Sequence, residues 1–266
     1  MKCILIPALT ALLLSCPLAY ADEPASTQPA EAPQTQSAKE AYREEPSVVT
    51  ISRHTFTIPA PEGFMRSTKA QKSVEDLLDA LTAPRAKRLI SFISPEPIQY
   101  VDNMAQLWPY HSVQVSKDLI AHNMTAREFE QAMRHMKAEL QKTVDKLKET
   151  NPGMMDRINE FRSQKTGHKS RADFPAMVTL PPFADEPRLQ ARTMIVTHTV
   201  NDEEEGTYSY QTVSVMSMVH INGQMLLLGT FASIEEMDWA QDINLKWARA
   251  ILAANPNAEA PVSSSN

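Results

Sequence analysis

Cysteine is nearly missing from this chain of 266 residues. The two present, Cys3 and Cys16, both stand close to the start. No thiol is left elsewhere for catalysis, disulfide bonding or a thiolate zinc site. Glycine is almost as scarce. The six glycines are Gly63, Gly153, Gly167, Gly206, Gly223 and Gly229, and none is spaced as G-x-G-x-x-G or G-x-x-x-x-G-K-[ST] requires. Phosphate cradles of those two types are therefore excluded. Aromatic residues make up only 6%, and 26 basic residues are outnumbered by 32 acidic ones. A net charge of −6 argues against nucleic acid as a partner. Neither H-E-x-x-H nor G-x-S-x-G occurs, so the zincin helix and the nucleophile elbow are both lacking. No apolar run reaches the length of about eighteen residues that marks a transmembrane helix.

What is present begins with an address. Lys2 supplies a positive start, and Ile4 to Leu14 is apolar but too short to span a bilayer of about 30 Å. Pro17 breaks the run, and Ala19-Tyr20-Ala21 places small residues at −3 and −1. This is the pattern of a secretory signal over residues 1–21, cleaved after Ala21. The alternative is a lipoprotein signal, because Leu13-Leu14-Ser15-Cys16 resembles a lipobox and would anchor the chain through Cys16. Loss of the signal removes Lys2 and no acid, which takes the net charge from −6 to −7. The mature chain would hold no cysteine, which suits a bacterial periplasm or exterior better than a disulfide-rich eukaryotic secreted domain.

Residues 22–47 are dominated by Pro, Ala, Gln, Glu and Ser, the composition of a disordered linker, and residues 256–266 form a similar tail. The remainder, 48–255, is expected to be a single α+β domain. Val48 to Ile58 is β-rich and runs into a turn at Pro59 to Gly63. Val74, Leu77, Leu78 and Leu81 recur at helical spacing, with Ser73 as the expected cap. Arg88 to Ser94 and Tyr110 to Leu119 read as strands. Thr125 and Glu128 form a capping box, and Met124 and Phe129 a hydrophobic staple. Phe129, Met133, Met136, Leu140, Val144 and Leu147 then give one apolar helical stripe. Asn151-Pro152-Gly153 would end that helix, with a short second one at Met154 to Phe161.

Leu189 to Val200 and Thr207 to Ile221 read as long strands. Asn222-Gly223 would join the latter to Gln224 to Phe231 through a type I′ turn, pairing Ile221 with Gln224, His220 with Met225 and Met218 with Leu227. Both faces of this hairpin are apolar, so both must be covered. Ser233 and Glu236 form a second capping box, opening a helix near 234–254 whose expected buried stripe is Trp239, Ile243, Trp247, Ala250 and Ile251. The expectation is an antiparallel sheet of five to seven strands with helices on its faces, including a long helix near 125–150.

A strand ending in Ile58-Pro59-Ala60-Pro61-Glu62-Gly63-Phe64, a meander with a tight late hairpin and a tryptophan-bearing last helix together resemble the PsbP-like fold. That is the fold of the extrinsic P subunit of photosystem II and exported bacterial relatives. The resemblance covers residues 55–64 and 205–255, about a quarter of the chain, and the helical excursion at 125–165 departs from it. It implies an assembly or interaction module rather than an enzyme.

No residue earns a catalytic, cofactor-binding or metal-ligating role from the sequence, and no cofactor is expected. His111 and His198 lie in strands with no local partner, so a cofactor-independent hydrolase with a dispersed site is one alternative. Met216, Met218 and His220 share a strand face, with Met225 opposite His220, so a Cu(I)-handling protein is another. Methionine filling core gaps is the plainer account of that cluster. The leading expectation is an exported, non-enzymatic accessory or binding domain for a protein or anionic partner. The stretch Arg162 to Arg171 carries four bases and no acid, reads as an exposed loop, and offers Lys165, Lys169 and Arg171 as contacts for an anionic partner.

Overall fold

The computed structural model describes residues 45–69, 71–95, 108–145, 170–172, 176–202 and 206–256. The expected signal, nearly all of the linker and tail, and the segments 151–153 and 154–161 lie outside them. Val48 to Ile58 is not one strand. It folds back at Ser52-Arg53, with Ser52 at φ 54, into β1 (Ser47–Ile51) and β2 (His54–Ile58). This two-stranded sheet stands apart from the main one.

The main sheet is antiparallel throughout. Its strands are β3 (Met65–Arg66), β4 (Ala86–Ile93), β5 (Tyr110–Ser116), β6 (Ser170–Ala172), β7 (Ala176–Thr179), β8 (Ala184–Glu186), β9 (Leu189–Asp202), β10 (Gly206–Ile221) and β11 (Gln224–Ser233), in the order β3-β4-β5-β11-β10-β9-β6. Among the described residues the sheet has nine strands in seven positions, because β6, β7 and β8 lie end to end along the outer edge of β9. The helices among these residues are α1 (Lys72–Leu81), α2 (Ala126–Asp145) and α3 (Met237–Ala254), the last preceded by a 3-10 turn at Ile234–Glu236. Among the described residues no helix is long and apolar enough to cross a membrane.

The late hairpin has the expected register, from Ile221 opposite Gln224 back to Met218 opposite Leu227. Asn222 and Gly223 have φ of 48 and 75, the left-handed values a type I′ turn requires. Side-chain alternation then sends Met216, Met218, Met225 and Leu227 to one face and Val215, Val219, Leu226 and Leu228 to the other, all buried. On the first face they meet Val74, Leu77 and Leu81 of α1 and Phe129, Met133 and Met136 of α2. On the second, Val219, Leu226 and Leu228 meet Trp247, Ala248 and Ile251 of α3 and Ile51, Phe56 and Ile58 of the small hairpin, and Val215 packs with Ala240 of α3. We call these the α1/α2 face and the α3 face.

The capping box at the start of α2 forms as expected. Thr125 N–H donates to Glu128 Oε2, and Glu128 N–H donates back to Thr125 Oγ1. The bond from Thr125 N–H first, and then one from the Thr125 hydroxyl, hold the Glu128 carboxyl below its usual range. Of the stripe on α2, the side chains of Leu140 and Val144 lie outside those described, as does Leu147 altogether. Other expectations need correction. Helix α1 starts one residue earlier than expected and is capped at Gln71, with no side-chain cap bond, so Ser73 lies inside it. Strand β5 ends at Ser116, and Leu119 packs from the turn beyond. On α3, Trp239 is 37% exposed and Ala250 is exposed, whereas Ala240 and Asn244 are buried. The stripe follows the residues that face the sheet, and polar Asn244 is one of them.

Candidate functional site

Two polar clusters interrupt the apolar faces. The first lies under α3. Asn244, fully buried, donates from Nδ2 to Thr230 Oγ1 at 2.9 Å and to the carbonyls of Val215 and Leu228, and accepts from Ser217 Oγ. Thr230 Oγ1 in turn lies 2.8 Å from His111 Nδ1. His111 is fully buried, with its ring 4.3 Å from that of Phe64 and 5.4 Å from that of Trp247. Its Nε2 has no hydrogen-bond partner. Burial pushes its pKa down to about 3, so the imidazole is neutral.

That depression has a consequence for stability. The native state resists a proton that the unfolded chain accepts at about 6.5. The contribution of His111 is whole above that pH. It is lost as pH falls, by about 1.4 kcal/mol per unit down to about pH 3. Burial also lowers the His220 pKa, against a hydrogen bond to Met124 that raises it, so His220 adds in the same direction. Unfolding of wild type and His111→Gln between pH 6.5 and 5 should show a shallower slope in the variant. Equal slopes would mean that His111 is protonated in the fold.

The second cluster lies on the α1/α2 face, where strand pairing lines up residues far apart in sequence. Arg88 stands opposite Gln114, Gln114 opposite Leu227, Leu227 opposite Met218, and Met218 opposite Gln190. Arg192, two residues along β9, lies beside Gln190 and opposite Met216. The two arginines differ sharply. Arg88 meets Glu75 at 3.0 Å and Asp79 at 2.6 Å. Burial favours the neutral Glu75 carboxyl, but hydrogen bonds from Arg88 and Ser67 outweigh it and hold the pKa below the usual value. Arg88 is thus a compensated cation.

Arg192 is 4% exposed, and among the described residues no carboxylate is hydrogen-bonded to it. Among the described residues its one hydrogen-bond partner is neutral: Nε donates to Gln190 Oε1 at 3.1 Å. Gln190 passes the interaction on, its Nε2 donating to Asp185 Oδ1 at 3.1 Å. Nη2 of Arg192 is buried with no partner. Burial lowers its pKa, with Asp185 offsetting part of the effect. A guanidinium remains charged under these conditions. Arg192 therefore holds a buried positive charge that Asp185 offsets only in part, with a donor unused, an arrangement that costs free energy unless a further anion meets it.

The residues singled out in the sequence are distributed as follows. Lys165 and Lys169 lie outside the described residues. Arg171 is in β6, opposite Asn201 in the backbone ladder, with Ser170 opposite Asp202. The expected loop is therefore strand at its end, paired with the end of β9. Met216, Met218 and His220 share a face, and Met225 pairs with His220, as their parity requires. His220 Nε2 donates to the Met124 carbonyl at 2.8 Å while the ring stacks on Phe129. His198 bonds Thr212 Oγ1 at 2.9 Å and stacks on Tyr210. Among the described residues neither a serine nor a carboxylate is hydrogen-bonded to His111, and no group of three His, Cys, Asp or Glu has metal-site geometry.

The sequence reading missed both Arg192 and Asn244. Parity on β9 puts Arg192 in step with Met194 and Val196, so a charge on an apolar strand face was the available signal. Asn244 follows Ala240 by four residues and precedes Trp247 by three, a polar residue on an apolar helical stripe. No protein-family model matches the chain, and none of the curated proteins matches it significantly.

Proposed function

We propose that this chain is an exported, non-enzymatic binding domain that receives an anionic group at Arg192. The observation that carries the reading is the contrast between two arginines of one sheet face, half-buried Arg88 and buried Arg192. Arg88 has two carboxylates, whereas Arg192 has a neutral amide and an unused buried Nη2. A planar guanidinium with a free edge suits a carboxylate or phosphate oxygen, to which it makes short, charge-assisted hydrogen bonds. The rest of the row is neutral or already paired, so it can orient such a group but supplies no acid, base or nucleophile for turnover. The secretory pattern of residues 1–21 and the resemblance to PsbP-like interaction modules point the same way.

The test uses Arg192→Met, which keeps a long side chain and removes the charge. In anion-poor buffer the variant should be more stable than wild type by about 1–4 kcal/mol, because an incompletely compensated buried charge is gone. Acetate or phosphate, compared with chloride at equal ionic strength, should raise the unfolding midpoint of wild type and leave the variant unmoved. A variant less stable than wild type, together with no anion effect on wild type, would show Arg192 to be a structural residue.

A further inference from the structure

Methionines flank Arg192 in the strand ladder. Met216 stands opposite it in the ladder, Met194 two residues along the same strand, and Met218 on the diagonal beside Gln190. All three are 1% exposed. Met177 of β7 and Met133 and Met136 of α2 belong to the same packed cluster. Met194 and Met177 are also brought close through strand pairing, since β7 lies along β9 at Met194 to Thr197. A methionine side chain is unbranched, with three rotatable bonds and a polarizable sulfur, so a surface of them reshapes around an apolar guest at small cost.

The charge at the site is single. Asp185 offsets part of it through space and is hydrogen-bonded to it only by way of Gln190, and Arg88 is held by its own carboxylates. One guanidinium matches one negative charge. A phosphate dianion would keep an uncompensated charge in a buried setting, and a polyanion would need more cations than this face holds. The polar residues beside it on that face, Ser112, Gln114 and Ser214, are neutral, and the remaining neighbours are thioethers, leucine and the stacked rings of Tyr110 and Phe231.

From these observations we infer that the ligand is an amphipathic monocarboxylate, its carboxylate on Arg192 and its apolar body among the methionines of the α1/α2 face. This inference rests on the reading of Arg192 as an anion site and adds the ligand's class. Nη2 would donate to one carboxylate oxygen, and the alkyl portion would replace thioether contacts between β9, β10 and α2. Recognition then has two separable parts, a charge-assisted hydrogen bond and the transfer of methylenes out of water.

The two parts are tested by calorimetric titration of the folded domain with acetate, phosphate, decanoate below its micellar range, and decanol. Decanoate should bind at least about tenfold more tightly than acetate, since each buried methylene adds to the affinity. Decanol, which keeps the chain and loses the charge, should bind at least about tenfold more weakly than decanoate. Arg192→Met should bind decanoate and decanol alike. Acetate and phosphate binding that depends on Arg192, with decanoate no tighter than acetate, would overturn this inference and leave the anion site standing. No Arg192-dependent binding of any of the three anions would overturn both. Decanoate and decanol binding equally to wild type would show an apolar site with no role for the guanidinium.

Discussion

Gly223→Val should lower the unfolding free energy by about 3 kcal/mol, well beyond an ordinary surface change. Two independent causes combine. Gly223 has φ 75, a value that β-branched residues resist and that costs of order 1–3 kcal/mol when imposed on them. A Cβ on Gly223 would also stand 1.7 Å from Asn123 Oδ1 and 2.9 Å from its Cγ, so the Asn123 side chain must swing away. The displacement has consequences because this turn anchors α2. Met124 N–H donates to the Gly223 carbonyl at 2.7 Å, His220 Nε2 to the Met124 carbonyl, and Gln224 Nε2 to the His122 carbonyl. Four bonded residues therefore move with the turn.

Urea unfolding separates the two causes. Gly223→Ala in an Asn123→Ala background removes the clash and keeps the backbone cost. It should be less destabilised, relative to its background, than Gly223→Ala alone in the wild type. Equal losses would assign the whole effect to φ. Gly223→Asn should be the mildest single change at the backbone level, because asparagine tolerates the left-handed region. A Gly223→Val protein as stable as wild type would mean that the turn takes another form.

Asn244→Ala should cost about 3 kcal/mol or more, the largest loss expected from a single side-chain truncation on α3. The change leaves the Ser217 hydroxyl without its acceptor and removes a donor shared by Thr230, Val215 and Leu228, all fully buried. Buried polar groups so abandoned lose their full desolvation penalty, which exceeds the net worth of the bonds themselves. The seam also holds His111 through Thr230, so the loss should spread. Thr230→Val alone should be milder, and the double variant should cost less than the sum of the singles, because both act on one network. Additive losses would mean that the two side chains act separately. A loss under about 1 kcal/mol for Asn244→Ala would mean that water replaces the amide.

The other end of α3 is tied down in a similar way, which is why the small hairpin has a defined place. Asn255 exchanges two hydrogen bonds with the backbone of Thr57, and Trp247 Nε1 donates to the Pro59 carbonyl at 2.8 Å. A short two-stranded sheet is marginal alone. Here its buried Ile51, Phe56 and Ile58 become part of the α3-face core.

What the sequence by itself determined was local. The register of β10 and β11 follows from Asn222-Gly223, because a two-residue turn leaves one pairing and strand parity assigns every side chain after it. The starts of α2 and of the last helical segment follow from their capping boxes, since backbone donors at a helix start are met by residues three apart. The need to cover both sheet faces follows from apolar residues at both parities. Tertiary structure decided everything that depends on which strands become neighbours. Placing β5 beside β11 brings His111 to Thr230 and sets Arg88, Gln114 and Gln190 in one row across the sheet. No spacing along the chain encodes those meetings. Likewise the charge of Arg192 was visible in the sequence. Its lack of a carboxylate partner was not, because ion pairing is a property of the space around a guanidinium and not of the residues beside it in the chain.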